Sequence, residues 1–73
     1  MKTINDLKPG DKTRVIRIHG SGPLRKRVLD MGLTKGATIM AIKKAPLGDP
    51  VEIRVRDYDL SLRNSEAKIV EVE

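Results

Sequence analysis

Glycines and prolines interrupt this chain at short intervals, and the segments between them are short and rich in β-branched residues, which is typical of strands separated by turns. Alternation is clearest in Val51–Arg56, where the three valine and isoleucine side chains are expected to face a core. The sequence predicts five short strands: Thr13–His19, Ala37–Lys44, Val51–Arg56, a fourth around Leu60 and Leu62, and a fifth around Ile69, Val70 and Val72.

A short helix is predicted over Leu24–Met31, between the first two strands. Pro23 suits the first turn of a helix, where its missing N–H group is not needed. Gly32 tolerates the left-handed geometry that ends a helix, and Leu33 can fold back against the last turn. The apolar residues at helical spacing are expected to form the buried stripe: Leu24, Val28 and Met31.

Two similar corners precede the first two strands, at Leu7–Gly10 and Leu33–Gly36. Each places a leucine before a turn on glycine, so Gly36 is expected to have a structural role, as are Gly32 and Leu33. Asp49 and Pro50 belong to the turn before the third strand and are expected to be structural as well.

Five strands with one short helix predict a mainly-β fold, a small and partly open SH3-like barrel, with residues 1–73 as one domain. Asn64–Glu66 is expected to form a short turn or a single helical turn before the last strand. The OB-fold is the nearest alternative, but its helix usually lies later in the chain.

The charge balance favours an anionic partner, because 15 basic and 10 acidic residues give a net charge of +5. Tyr58 is the only aromatic residue, which argues against a single-strand nucleic-acid binder that stacks bases. The chain has no cysteine, so disulfides and thiolate zinc sites are excluded. Charges are scattered through the first 20 residues and no apolar run approaches the roughly 20 residues that span a membrane. We therefore expect a cytoplasmic protein without membrane insertion.

Four stretches together resemble the ferrous iron transport protein A (FeoA) family: DLKPGDKTRVIRI, LRKRVLDMGLTKG, APLGDPVEIRV and LSLRNSEAKIVEV. The resemblance implies an SH3-like barrel that acts in the cytoplasm as an adaptor or regulator of a membrane ferrous iron transporter with a cytosolic GTP-binding domain (FeoB). This chain has Asp57 where the family often has glycine, before the tyrosine of the last hairpin. The same module resembles the C-terminal barrel of iron-dependent repressors, although no DNA-binding domain is expected within residues 1–73.

Four residues are candidates for partner binding. Arg25 lies opposite the predicted buried stripe of the helix, Arg27 borders it, and Leu29 lies off it near Arg25. Leu47 is an isolated apolar residue in a turn. An apolar anchor beside arginines is typical of a docking surface for an acidic protein. The alternative is a solvated helix face whose arginines only cover the edge of the core.

Metal binding and catalysis are not expected. His19 is the only histidine, whereas ferrous iron prefers convergent sets of imidazole and carboxylate ligands. The chain has no cysteine nucleophile, no Ser-His-acid set and no phosphate-binding loop with a Gly-Lys-Ser/Thr ending. We therefore predict no resident metal or cofactor, and no enzyme activity.

Two other functions remain open. A small basic barrel can bind nucleic acid, but the basic residues here are spread along the chain and alternate with acidic ones, so no specific nucleic-acid partner is expected. Self-association through exposed sheet edges is compatible with the adaptor role, so a weak homo-oligomer is also an alternative.

Overall fold

The computed structural model describes residues 1–73. Its elements are a 3₁₀ turn at Ile4–Asp6, strand β1 at Lys12–Ile18, helix α1 at Gly22–Asp30, β2 at Thr38–Lys44, β3 at Val51–Val55, β4 at Tyr58–Leu62, helix α2 at Asn64–Ala67 and β5 at Val70–Val72. The strands form one antiparallel sheet in the order β4-β3-β2-β1-β5. The prediction of a mainly-β domain with five strands and a helix between the first two is confirmed. Helix α2 is the single helical turn expected there.

Strand β1 is shared between two partners, which curls the sheet around one core. Its first half pairs with β2 and its second half pairs with β5. The register shifts between Val15 and Arg17, which marks a bulge in this strand. The strand therefore bends where it passes from one pairing to the other.

The core consists of 16 buried apolar side chains drawn from every strand, from α1, from α2 and from the turns. Strand β3 alternates as predicted, because Val51, Ile53 and Val55 are almost completely buried while Arg54 is exposed. At roughly 25 cal/mol per Å² of apolar surface removed from water, burial of these side chains is the main contribution to the stability of a chain without disulfides.

The predicted buried stripe of α1 is partly wrong. Val28 is fully buried, and Met31 packs against the core, but Leu24 is 36% exposed. Leu29, which was expected to lie off the stripe, also packs against the core and is half-buried. The reason is that only the C-terminal half of the helix contacts the core, so Leu24 in the first turn extends past it.

The helix ends where the sequence predicts. Met31 is the last residue with right-handed geometry, and Gly32 follows with φ of +93°. The Gly32 N–H donates to the Leu29 carbonyl at 3.0 Å, and Leu33 is fully buried beyond it. A hydrophobic contact after the left-handed residue is the usual companion of this helix ending.

The other expected structural residues also lie at chain reversals. Gly36 has φ of +89°, and its N–H donates to the Val15 carbonyl at 2.8 Å. The Asp49 carboxylate accepts the N–H of Asn64 at 3.2 Å, which satisfies a free donor at the start of α2. The Pro50 carbonyl accepts the N–H of Ala45 at 3.0 Å and closes the loop between β2 and β3.

In the turn between β3 and β4 the left-handed residue is Arg56, and not Asp57, which stands where the family often has glycine. Arg56 has φ of +57°, whereas Asp57 is not in the left-handed region. A long side chain is unusual at such a position, since its Cβ crowds the following carbonyl.

Candidate functional site

The structure brings Arg25 and Leu29 together on one side of α1, facing the second half of β1. Two shallow depressions lie on either side of this pair. The Arg25 Nε donates to the Ile18 carbonyl at 3.4 Å, which holds the guanidinium against the end of β1. The apolar floor is formed by half-buried Leu29 and by Ile16, which is 38% exposed on β1.

The surface around this pair is strongly basic. Four cations line the two depressions, no carboxylate does, and none of the four takes part in an ion pair. We call this region the Arg25 surface and define it by six residues: Ile16, Arg17, Arg25, Lys26, Leu29 and Lys35.

The nearest acidic residues do not neutralise the Arg25 surface. Glu71 lies opposite Arg17 in the register of β1 and β5, but its carboxylate contacts the His19 Nε2 at 2.6 Å instead. Asp30 follows Leu29 in α1 and lines neither depression. The four positive charges are therefore free to meet an anionic surface.

Two arginines elsewhere on the sheet are paired with carboxylates. Arg14 binds Glu73 with 3.0 Å between Nε and Oε1, and Arg54 binds Asp59 with 2.8 Å between Nε and Oδ1. These hydrogen bonds hold the pKa of the Glu73 and Asp59 carboxyls below their ordinary values. Other cations, such as Lys12 and Arg56, are also outside any ion pair, so the Arg25 surface is distinguished by four such cations lying together with no carboxylate in its lining.

Arg27 lies away from the Arg25 surface. Its Nε is 3.0 Å from Oε2 of Glu66, a residue that is only 2% exposed. The other carboxylate oxygen of Glu66 accepts the N–H of Arg63 at 2.8 Å. Because a buried carboxylate needs its donors, Arg27 has a structural partner within the chain.

Leu47 is the most exposed large apolar side chain, at 96%, in the loop between β2 and β3. The end of that loop, at Asp49 and Pro50, lines a polar groove together with Arg27. The four predicted partner-binding residues therefore divide into two places: Arg25 with Leu29, and Arg27 beside the loop that carries Leu47.

No group of three or more histidine, cysteine, aspartate or glutamate side chains converges in a way that could hold a metal ion. His19 has one acidic neighbour, Glu71, and the two form an ion-pair contact between strands β1 and β5 when the imidazole is protonated. Two side chains are too few for the ligand sets that ferrous iron prefers.

Lys26 of α1 was not among the predicted partner-binding residues, and sequence reasoning also missed the three members outside the helix: Ile16, Arg17 and Lys35. They come from β1 and from the corner before β2, so no helical spacing connects them to Arg25. One signal was available, because Ile16 breaks the alternation of β1 next to the bulge. A single exposed apolar residue is ordinary, but Ile16 lies beside Leu29 in one depression, and neighbouring exposed apolar side chains are a reason to look for a partner there.

No helix in this structure is both long and apolar enough to cross a membrane.

The FeoA domain family model matches residues 2–73. A fusion protein of Fe(2+) transport protein A and Fe(2+) transporter FeoB from Porphyromonas gingivalis is 44% identical over 70 residues. The match covers 96% of this chain, which spans 8% of the length of the fusion protein.

Solved structures show the same fold. An FeoA-like protein from Clostridium acetobutylicum is 42% identical with a TM-score of 0.90, covering 97% of this chain and 83% of that one. FeoA of Stenotrophomonas maltophilia, solved with zinc and described as a prokaryotic SH3 domain protein, is 27% identical with a TM-score of 0.86, covering 100% and 91%.

A manganese-dependent transcriptional repressor has a TM-score of 0.89 at 14% identity, covering 99% of this chain and 35% of that one, which is a likeness of fold alone. The family match, by contrast, extends over nearly the whole chain and is accompanied by relatives of the same fold at much higher identity. This chain belongs to the FeoA family and has its SH3-like barrel.

Proposed function

We propose that this chain is a non-catalytic cytoplasmic adaptor or regulator that binds the cytosolic GTP-binding part of a membrane ferrous iron transporter. The observation that carries the proposal is the relative in which the FeoA part and FeoB form one polypeptide. A fusion keeps two modules at a high effective concentration, so an interaction between them needs little affinity to persist.

The Arg25 surface is the part of the chain best suited to this contact. It combines four unpaired cations with the apolar side chains of Leu29 and Ile16 on rigid elements. Cations of this kind steer association with an acidic face, and a desolvated apolar anchor contributes affinity. Leu47 is a second candidate contact, on a separate loop, and Arg27 is left out because it is bound to Glu66.

A nucleic-acid partner fits this surface less well. The clustered cations favour any polyanion, but no aromatic side chain lies among them on which a base could stack. The likeness to the repressor concerns the fold alone, so it supports no DNA-binding role for this chain.

The test is a titration of the chain with the purified cytosolic domain of the transporter. Arg25→Glu is expected to weaken binding about tenfold or more, equivalent to about 1.4 kcal/mol. Lys12→Glu is the matched control, since Lys12 is exposed and lies outside the Arg25 surface and the charge change is identical. Leu47→Ser tests the separate loop.

Three results would contradict the proposal. Parent-like binding by Arg25→Glu would move the contact elsewhere, and an equal loss with Lys12→Glu would mean that only net charge matters. Binding of duplex DNA in place of the transporter domain, with a steep dependence on salt, would favour the nucleic-acid alternative.

Leu29→Asp is unsuitable as a test of binding, because Leu29 packs against the core and its replacement would also change the stability of the fold.

A further inference from the structure

Strand β4 is the one uncovered edge of the sheet. The opposite edge, β5, is covered by the N-terminal segment, since the Val72 N–H donates to the Lys2 carbonyl at 2.8 Å and Thr3 pairs with Glu71. By contrast, the backbone of Tyr58–Leu62 makes no hydrogen bond outside its pairing with β3. Its outer N–H and C=O groups are therefore free to pair with another strand.

The register identifies which groups point outwards. The two-residue turn at Arg56 and Asp57 makes Val55 and Tyr58 a hydrogen-bonded pair, and hydrogen-bonded and non-bonded pairs then alternate along the ladder. Asp59 and Ser61 consequently direct their N–H and C=O groups to the free edge.

Features that normally block an exposed edge are missing from β4. It contains no proline or lysine, and its pairing with β3 runs without a bulge over five residues. Its only charged side chain, Asp59, is bound by Arg54. Its core-facing side chains are also incompletely covered, because Leu60 is half-buried and Tyr58 is 40% exposed.

We propose that β4 pairs antiparallel with β4 of a second copy of this chain, about a two-fold axis at Leu60. This register overlaps all five residues of the strand and sets Asp59 opposite Ser61 of the second copy, so the outward N–H and C=O groups of both meet. Beyond the strand ends it sets Asp57 opposite Arg63 of the second copy. Neither Asp57 nor Arg63 is in an ion pair within its own chain, so two opposite-charge pairs would form.

The geometry implies a closed dimer. A two-fold pairing uses the same edge on both copies, and the other edge of each sheet is already covered, so the assembly stops at two. The net charge of +5 on each copy opposes association, so the dimer forms only at high protein concentration. No residue of the pairing belongs to the Arg25 surface.

Sedimentation velocity of the full chain over a concentration series up to about 1 mM tests the proposal. The parent chain is expected to shift from monomer to dimer with rising concentration. Ser61→Pro removes one outward N–H without touching the β3 ladder, and is expected to stay monomeric. Ser61→Ala keeps that N–H and is expected to dimerise like the parent. Thermal melts of both variants are the check that each one is folded.

Charge exchange tests the register. Asp57→Arg and Arg63→Asp alone set like charges opposite each other at both ends of the pairing, so each is expected to be monomeric at concentrations where the parent dimerises. An equimolar mixture of the two variants restores an opposite-charge pair at both ends of the mixed dimer, and is expected to dimerise.

Four results would overturn the proposal. A parent chain that stays monomeric throughout, or a mixture that associates no better than its components, would refute the two-fold pairing. A dimer that survives Ser61→Pro would use another surface. Loss of transporter binding by Ser61→Pro in a chain that is always monomeric would assign the edge to a strand of the transporter.

Discussion

The contact between Gly32 and Tyr58 gives the sharpest stability prediction. Gly32 has φ of +93°, and a methyl group added there would overlap the Tyr58 hydroxyl. That hydroxyl donates to the Met31 carbonyl at 2.6 Å and so joins β4 to the end of α1. Gly32→Ala therefore strains the backbone and displaces this hydrogen bond at the same time.

The magnitude follows from these two effects. Left-handed geometry costs an L-residue about 1–2 kcal/mol, and loss of one hydrogen bond costs about 1 kcal/mol. Gly32→Ala is expected to lower the free energy of unfolding by about 2–3 kcal/mol. Gly10→Ala is the matched control, because Gly10 has the same φ of +93° with nothing within 4 Å of the added methyl group. Gly10→Ala is expected to lower the free energy of unfolding only by the cost of the left-handed backbone, about 1–2 kcal/mol.

Denaturant unfolding of these variants, alone and combined with Tyr58→Phe, separates the two effects. In a chain that carries Tyr58→Phe, Gly32→Ala should lower the free energy of unfolding by no more than Gly10→Ala does. The double-mutant cycle of Gly32→Ala and Tyr58→Phe should therefore show a coupling energy of about 1 kcal/mol. Equal losses for Gly32→Ala and Gly10→Ala in the parent chain, or a cycle additive within about 0.5 kcal/mol, would refute this reasoning.

Three further predictions concern stability. Arg56→Asn is expected to raise the free energy of unfolding by about 0.5–1 kcal/mol, because asparagine tolerates the φ of +57° better than arginine; a lower denaturant midpoint would contradict this. Arg27→Met is expected to cost about 1–2 kcal/mol, because it removes a donor from buried Glu66, and an unchanged midpoint would show that the carboxylate does not need it. The Thr3 N–H donates to the Asp6 carboxylate and holds the pKa of Asp6 below its ordinary value of 3.8. The ionised carboxylate therefore stabilises the fold above about pH 4, and this stabilisation is lost as the pH falls through the folded-state pKa. When unfolding is measured from pH 6 to 2, the free energy of unfolding should fall less steeply with decreasing pH for Asp6→Asn than for the parent.

The local features of this fold could be predicted from sequence because each depends on residues close in the chain. Gly32 ends α1 because only neighbouring backbone groups decide whether a left-handed residue is required there. The alternation of Val51, Ile53 and Val55 likewise reports which side of one strand is buried. The family resemblance implied the same barrel that the strands and helix had predicted, and it added the connection to ferrous iron transport, which the FeoA family match supports.

The arrangement of the surface was decided by the tertiary structure. Leu24 and Leu29 are both possible members of an apolar stripe, and the position of the core selects Leu29. Arg25 and Arg27 are two residues apart in one helix, yet one joins an acid-free surface and the other binds Glu66. Helical spacing cannot distinguish these outcomes, since each depends on side chains far away in sequence. The free edge of β4 has the same origin, because a strand is an edge only by virtue of where every other strand lies.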